Sequence, residues 1–227
     1  MPGGKAMLTV HHLNNSRSQR VLLLLEELGV PYEIVRYQRQ SDMLAPAELR
    51  AIHPLGKSPV ITDNGDTIAE SGAIVEYIVD SHGGGRLIPP PKTPERLRYS
   101  YWLHYAEGSA MPPLLLKLLF TLMPKRAPAL LRPLVRKVSN QALTALVHPQ
   151  LKRHMAFWEA ELGRSQWFAG DEFTAADIQM SFPLEAAAAR GGLDQGHPRA
   201  MAFLDRIHAR PAYARALERG GPYVVGR

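Results

Sequence analysis

Two short stretches of this chain carry residue types whose spacing suits a small zwitterionic ligand. The first is Gly56-Lys57-Ser58-Pro59-Val60-Ile61, the turn Asp63-Asn64-Gly65-Asp66, and Thr67-Ile68-Ala69-Glu70-Ser71-Gly72. Val60-Ile61 and Thr67-Ile68 are β-formers flanking Asn64-Gly65, the strongest short-range hairpin signal, so Pro59 and Glu70 come to the same end of an antiparallel pair. A proline at a strand start cannot donate a ladder hydrogen bond, and a Ser-Pro bond is one of the few that tolerate a cis peptide. Such a start leaves Val60 to offer its N–H and C=O to an extended ligand. Ser71 opens an apolar-periodic helix (Ala73, Ile74, Tyr77, Ile78), where free N–H groups and the helix dipole favour a carboxylate. Glu70 beside it suits an ammonium. Each feature has a plainer use, Ser71 as an N-cap and Ser-Pro as a trans turn. Their joint spacing across one hairpin favours a receptor for the amino-acid end of an anionic peptide.

The second stretch, His11-His12-Leu13-Asn14-Asn15-Ser16-Arg17-Ser18-Gln19-Arg20, is dense in hydrogen-bond donors. Ser16 or Ser18 serves equally well as a plain N-cap. The chain has no cysteine, which excludes disulfides, thiolate metal sites and a protein thiol nucleophile. Any sulfur chemistry must therefore use a ligand's thiol. The histidines, His148 and His154 among them, show no metal-ligand spacing.

The elements that must position these stretches follow from periodicity. Residues 8–11 read as a strand, 17–28 as a helix stopped by Gly29, and 31–37 as a strand that Pro31 keeps from being helical. A short helix over 46–52, the hairpin, and a helix over 71–81 complete the order βαβ, α, ββ, α. Parallel strands need a crossover helix, so this order implies a four-stranded mixed sheet of thioredoxin-like α/β topology. The loop at 11–20 then lies at the carboxyl ends of the parallel strands, where ligands bind. From residue 95 onward the pattern is helical: 94–120, kinked or broken at Pro112-Pro113, then 130–162, 174–190, 198–209 and 211–218. Thr174-Ala175-Ala176-Asp177 has the form of a capping box. The triple Gly83-Gly84-Gly85 and the triple Pro89-Pro90-Pro91 mark a break and a stiff linker. Two domains are expected, an α/β domain at 1–88 and an all-α domain at 95–227.

With 227 residues, 45% hydrophobic and 21% charged, the chain is an ordinary globular protein. No apolar run reaches a membrane-spanning length, and residues 1–6 lack the apolar core of a signal peptide. A soluble cytoplasmic protein with no membrane partner is expected. The net charge of +6 is densest at Lys117, Lys125, Arg126, Arg132, Arg136 and Lys137. No aromatic stacking motif is interleaved with these cations, so they read as a solvated helical face and no nucleic-acid partner is expected.

The Lys57-Ser58-Pro59-Val60 turn, Glu70-Ser71, the Thr174 to Asp177 box and the linker position together resemble a glutathione S-transferase of the bacterial type with a serine or asparagine active-site loop. The resemblance spans residues 7 to about 219. It implies a thioredoxin-like domain that binds glutathione, a helical domain that binds an apolar electrophile, a homodimer, and no metal. It implies a cis bond before Pro59, Val60 pairing with the cysteinyl backbone, Glu70 and Ser71 holding the γ-glutamyl end, and Lys57 facing the glycine carboxylate, with Ser58 in the same turn. Ser16 is the first candidate for the hydrogen bond to sulfur, Asn15 the alternative, and Arg17 a source of positive field. His53 is a candidate contact to glutathione, or else a surface loop histidine. Tyr101 and Tyr105, with Trp102 and Met111, are candidates to line the electrophile pocket, or else core. The loop holds neither the tyrosine nor the cysteine of better-known members. An asparagine there also resembles members that reduce disulfides or peroxides with two glutathiones, and the fold also serves as a non-catalytic binding module. The chemical requirement is modest. A free thiol of pKa ~8.5 is about 3% ionised at pH 7, and lowering it to ~6.5 gives about three quarters, roughly a 25-fold gain.

Overall fold

The computed structural model describes residues 7–40 and 44–225. Residues 1–6, considered above, lie outside them. Strands β1 (Leu8–Leu13), β2 (Tyr32–Tyr37), β3 (Val60–Asp63) and β4 (Asp66–Ala69) form one sheet in the order β2-β1-β3-β4. β1 runs parallel to β2, in register from Leu8 opposite Tyr32 to Leu13 opposite Tyr37, and antiparallel to β3. The parallel pair is joined by helix α1 (Ser18–Leu28), which buries Val21 to Leu25 and Leu28 and ends at Gly29, whose φ of 64° lets its N–H turn back to the last carbonyls. Asn64 and Gly65 both have positive φ, 51° and 92°, the left-handed pair that a two-residue hairpin requires. Helices α2 (Ala47–Ile52) and α3 (Ser71–His82) complete this half, which is the mixed sheet that the sequence pattern predicts.

The second half is helical: α4 (Pro94–Tyr105), α5 (Met111–Arg126), α6 (Arg132–Ala142), α7 (His148–Glu161), α8 (Ala175–Ala186), α9 (Pro198–His208) and α10 (Pro211–Gly220). α4 runs into α5 through a π-helical turn at Ala106–Ala110, and the helix continues to Arg126 rather than stopping near Phe120. Pro112 and Pro113 cannot donate to the carbonyls one turn back, and the wide turn, closed by Met111 N–H to Ala106 C=O, absorbs this deficit without breaking the helix. A second π turn at Leu143–Val147, before Pro149, lies inside the single helix expected over 130–162, so that α6 runs on into α7 without a break.

One apolar core runs through both halves. It joins Leu22, Leu25, Ile74 and Ile78 to Trp102, Trp158, Phe168 and Phe203. α8 lies at its centre, with every residue from Ala175 to Ala186 buried. The capping box starts that helix. Asp177 Oδ2 accepts from Thr174 N–H and Oγ1 at 2.8 and 3.0 Å, while Oδ1 accepts from Phe168 N–H at 2.8 Å. Burial pushes the Asp177 carboxyl up to about 6, although these donors favour the anion. Its ordinary value is lower, so the folded state holds this proton more tightly than the unfolded chain. The resulting contribution to stability is full below about pH 4 and is lost as pH rises through about 6. Asp177→Ala leaves three donors unpaired in the core and is expected to lower the unfolding free energy by about 3 kcal/mol or more in urea titrations.

Candidate active site

The hairpin and the first loop meet the helical half at a small cleft lined by Arg17, His53, Leu55, Lys57, Ser58, Pro59, Ala69, Glu70, Ser71 and Glu107. The Ser58–Pro59 peptide is cis. Glu70 is the residue before α3, with φ 73° and ψ 126°, a conformation that costs a non-glycine residue on the order of 1–3 kcal/mol. Its carbonyl accepts Ile74 N–H at 2.9 Å, closing the first turn of α3. Ser71 therefore stands inside the helix rather than at its cap, and the backbone N–H groups of the first turn of α3, beside the cleft, have no partner within the helix. His53 ends α2 with its Nδ1 buried and unpartnered among the described residues.

Val60 does not reach this cleft. It is 1% exposed and sits between two neighbours, opposite His11 of β1 and Ala69 of β4. An inner strand residue commits its backbone groups to the ladder, so the pairing position expected at Val60 is unsuited to a ligand. Ser58, two residues earlier, lies outside β3 on the cleft wall. Among the described residues its N–H and C=O form no backbone hydrogen bond.

Behind Ser58 runs a chain of buried hydroxyls. Ser16 Oγ is 3.2 Å from Ser58 Oγ and 2.7 Å from Ser18 Oγ, and it accepts Ser18 N–H at 3.2 Å. Ser18 Oγ in turn meets His12 Nδ1 at 2.8 Å, and Ser58 Oγ donates to His11 C=O at 3.2 Å. Burial, reinforced by Arg36, pushes His12 down to about 4, so this chain ends on a neutral imidazole. Ser16 is itself buried and has one hydrogen to give, aimed at Ser58. Asn15 adopts φ 50°, a left-handed conformation that asparagine tolerates, and its Oδ1 accepts Val224 N–H at 2.8 Å from the C-terminal segment.

The charges of the cleft are organised by a residue that sequence reasoning missed. Glu107, on the π turn after α4, receives Arg20 Nη2 on Oε1 and lies 3.1 Å from Arg17 Nε through Oε2. Arg20 is 2% exposed and also donates to Ser71 Oγ at 3.2 Å and to Gln179 C=O at 2.6 Å. Burial pushes the Glu107 carboxyl up, but Arg20 and Arg17 outweigh it and hold it below the usual range. Burial and the neighbouring Arg20 lower the Arg17 pKa against the pull of Glu107 and Glu70. The one sequence signal for this group is Arg20 itself, a cation directly before the buried apolar run Val21–Leu25.

Tyr101 and Tyr105 lie elsewhere. Their rings stack on each other at 5.6 Å, and the buried Tyr105 hydroxyl pairs with His154 Nδ1 and accepts Trp158 Nε1–H at 3.1 Å within the helical core. The aromatic ring near the loop is instead Phe182 of α8, 5.8 Å from the Arg17 guanidinium and 5.2 Å from that of Arg20.

Comparison with known proteins gives this geometry a family. Residues 6–80 match the family model described as glutathione S-transferase, N-terminal domain, and residues 122–211 the corresponding C-terminal domain. Glutathione S-transferase 1 of Saccharomyces cerevisiae is 32% identical over 222 residues, covering 94% of this chain and 95% of the yeast protein. The chain belongs to the glutathione S-transferase family. Glutathione S-transferase 3 of Schizosaccharomyces pombe is 38% identical over 181 residues, 80% of this chain and 74% of that relative. A glutathione S-transferase crystal structure from Actinobacillus pleuropneumoniae superposes with a TM-score of 0.77 at 29% identity, covering 97% of this chain and 96% of its own. The architecture is that of a thioredoxin-like domain followed by an all-α domain, and the chain is an enzyme of this transferase family.

No helix among the described residues is long and apolar enough to cross a membrane. Nor do those residues hold a cluster of three or more His, Asp or Glu suited to a metal ion. Removing the Glu107 carboxylate strands the buried Arg20 charge. Glu107→Ala is therefore expected to cost about 3 kcal/mol in denaturant unfolding, and Glu107→Gln less.

Proposed function

We propose that this enzyme conjugates glutathione to a small apolar electrophile. The observation that carries the reading is the cleft itself, which gathers Glu70, Ser71, Ser58, Lys57 and Arg17 around the open N-terminus of α3. The γ-glutamyl carboxylate meets the free N–H groups of α3, where the helix dipole favours an anion. Its ammonium meets Glu70. The cysteinyl backbone runs along Ser58, in place of Val60, and the glycine carboxylate faces Lys57 with His53 beside it. This register directs the thiol towards the loop of Asn15, Ser16 and Arg17.

At that loop the hydroxyl of Ser16 turns its hydrogen from Ser58 to the sulfur, while Ser18 N–H holds its oxygen from behind. Arg17 adds positive field, and Asn15 offers its side-chain N–H group. The thiol proton leaves to solvent, the thiolate attacks the electrophilic carbon, a C–S bond forms, and the leaving group departs with its electron pair. The apolar partner approaches from the helical side, against Phe182. The domain limits at 1–88 and 95–227, a homodimer and a cytoplasmic location belong to the same reading.

Calorimetry at millimolar glutathione tests the ligand, and absence of binding there rejects the proposal. Ser16→Ala is expected to return the bound thiol towards ~8.5 and lower conjugation at pH 7 roughly 25-fold, with glutathione affinity little changed. If Asn15→Ala rather than Ser16→Ala removes the thiolate absorbance, the donor is Asn15. If both variants spare conjugation yet impair disulfide or peroxide reduction, the enzyme is a glutathione-dependent reductase.

A further inference from the structure

We propose that the tip of the α5–α6 hairpin docks on an anionic phospholipid surface. Residues 108–158 contain no Asp or Glu at all, yet hold eight of the chain's 27 Lys and Arg; the other 19 face all 21 acidic residues. The entire positive excess of the protein therefore resides on this helical hairpin and its continuation, and the remainder of the chain is slightly acidic.

The same hairpin exposes large apolar side chains that a solvated face does not need. At the turn between α5 and α6, Leu130 is 91% exposed and Leu131 51%; Met123, Leu134 and Val138 on the flanking turns are 46%, 62% and 56% exposed. Leu131, Leu134 and Val138 recur at helical spacing, so they form one stripe along α6. α6 buries only Ser139, and its principal packing is against α5 and the π turn that continues it. Apolar surface of this extent marks an interaction site.

Charge selects the occupant. Cations interleaved with exposed leucines suit a surface that offers negative headgroups above a hydrocarbon layer, whereas the hairpin tip, with Lys125, Arg126, Arg132, Arg136 and Lys137 and no acid among them, repels the tip of a second copy. A groove of about 430 Å³ lies between the two helices, with Phe120, Pro124 and Leu143 in its walls and Lys125, Arg132 and Arg136 among its lining residues. It places three cations beside apolar walls, the combination that accepts a lipid phosphate with the start of its acyl chain. No spanning segment is involved; the tip inserts its leucines and the cations remain at headgroup level.

Sedimentation of the full chain with extruded vesicles tests this. Binding is expected to vesicles of phosphatidylcholine with phosphatidylglycerol, to be absent with phosphatidylcholine alone, and to weaken as salt rises. Each basic residue near such a surface is worth about five-fold in partitioning, so R132A/R136A should lower it about 25-fold. L130D/L131D should abolish binding while leaving circular dichroism and conjugating activity unchanged, because both side chains are exposed and remote from the cleft residues. Equal binding to both vesicle types, no binding at low salt, or undiminished binding by L130D/L131D overturns the proposal. So does analytical ultracentrifugation in which the parent self-associates and L130D/L131D does not, since a second copy would then cover the patch.

Discussion

A single buried guanidinium, that of Arg20, holds the two halves of this enzyme in the relation that the active site requires. It projects from α1 of the first domain, fixes the hydroxyl of Ser71 at the start of α3, and reaches the second domain twice, at the Gln179 carbonyl and at Glu107. A buried cation is tolerable only where every partner is in place, so the geometry of these three contacts is specified as a set. Moving Glu107 would release Arg17 as well, and with it the positive side of the cleft. The domain interface and the ligand site thus share one electrostatic network.

That network explains how a chain without cysteine can handle a thiol. In the proposed reading the amide groups of α3 take the peptide's carboxylate, and a series of hydroxyls, from buried Ser18 and Ser16 to half-buried Ser58, serves its sulfur. Hydroxyls in series orient one another, and the neutral His12 at the end keeps a competing charge out of the core. The loop is steadied from outside by Val224, whose N–H holds the Asn15 side chain. The C-terminal segment accordingly helps to hold this loop even though it is 209 residues away in sequence.

What could be read in the sequence was local in origin. Asn64-Gly65 specifies the hairpin, Gly29 ends α1, and Thr174 with Asp177 starts α8; each is decided by a few adjacent residues, and the structure agrees. Ser58, Lys57, Glu70 and Ser71 converge because the hairpin register alone brings them together. Features that depend on partners far along the chain were not legible. Val60 was expected on the cleft because the alternation of a strand does not reveal whether it has one neighbour or two. Tyr105 carries an aromatic ring at the spacing of a pocket wall, but its hydroxyl belongs to His154 and Trp158 in the core. Glu107 sits on a π turn, and nothing local to residues 106–110 announces that it faces two arginines of the first domain.

The distribution of charge also separates two properties that net charge confuses. A pI near 9.7 suggests a protein that attracts anionic substrates everywhere. The excess of cations, however, lies on the α5–α6 hairpin and α7, and beyond a Debye length of about 8 Å such charges contribute little in physiological salt. In the cleft, Glu70 and Glu107 stand against Arg17, Arg20 and Lys57, so its field is close to balanced and strongly directional. In the proposed reading anion binding at α3 then depends on oriented backbone dipoles, which act only at short range and distinguish one end of a zwitterion from the other. A uniformly basic cleft would attract glutathione faster but would hold its ammonium no better than water does. The chain thus keeps its non-specific charge and its ligand-specific charge on different elements.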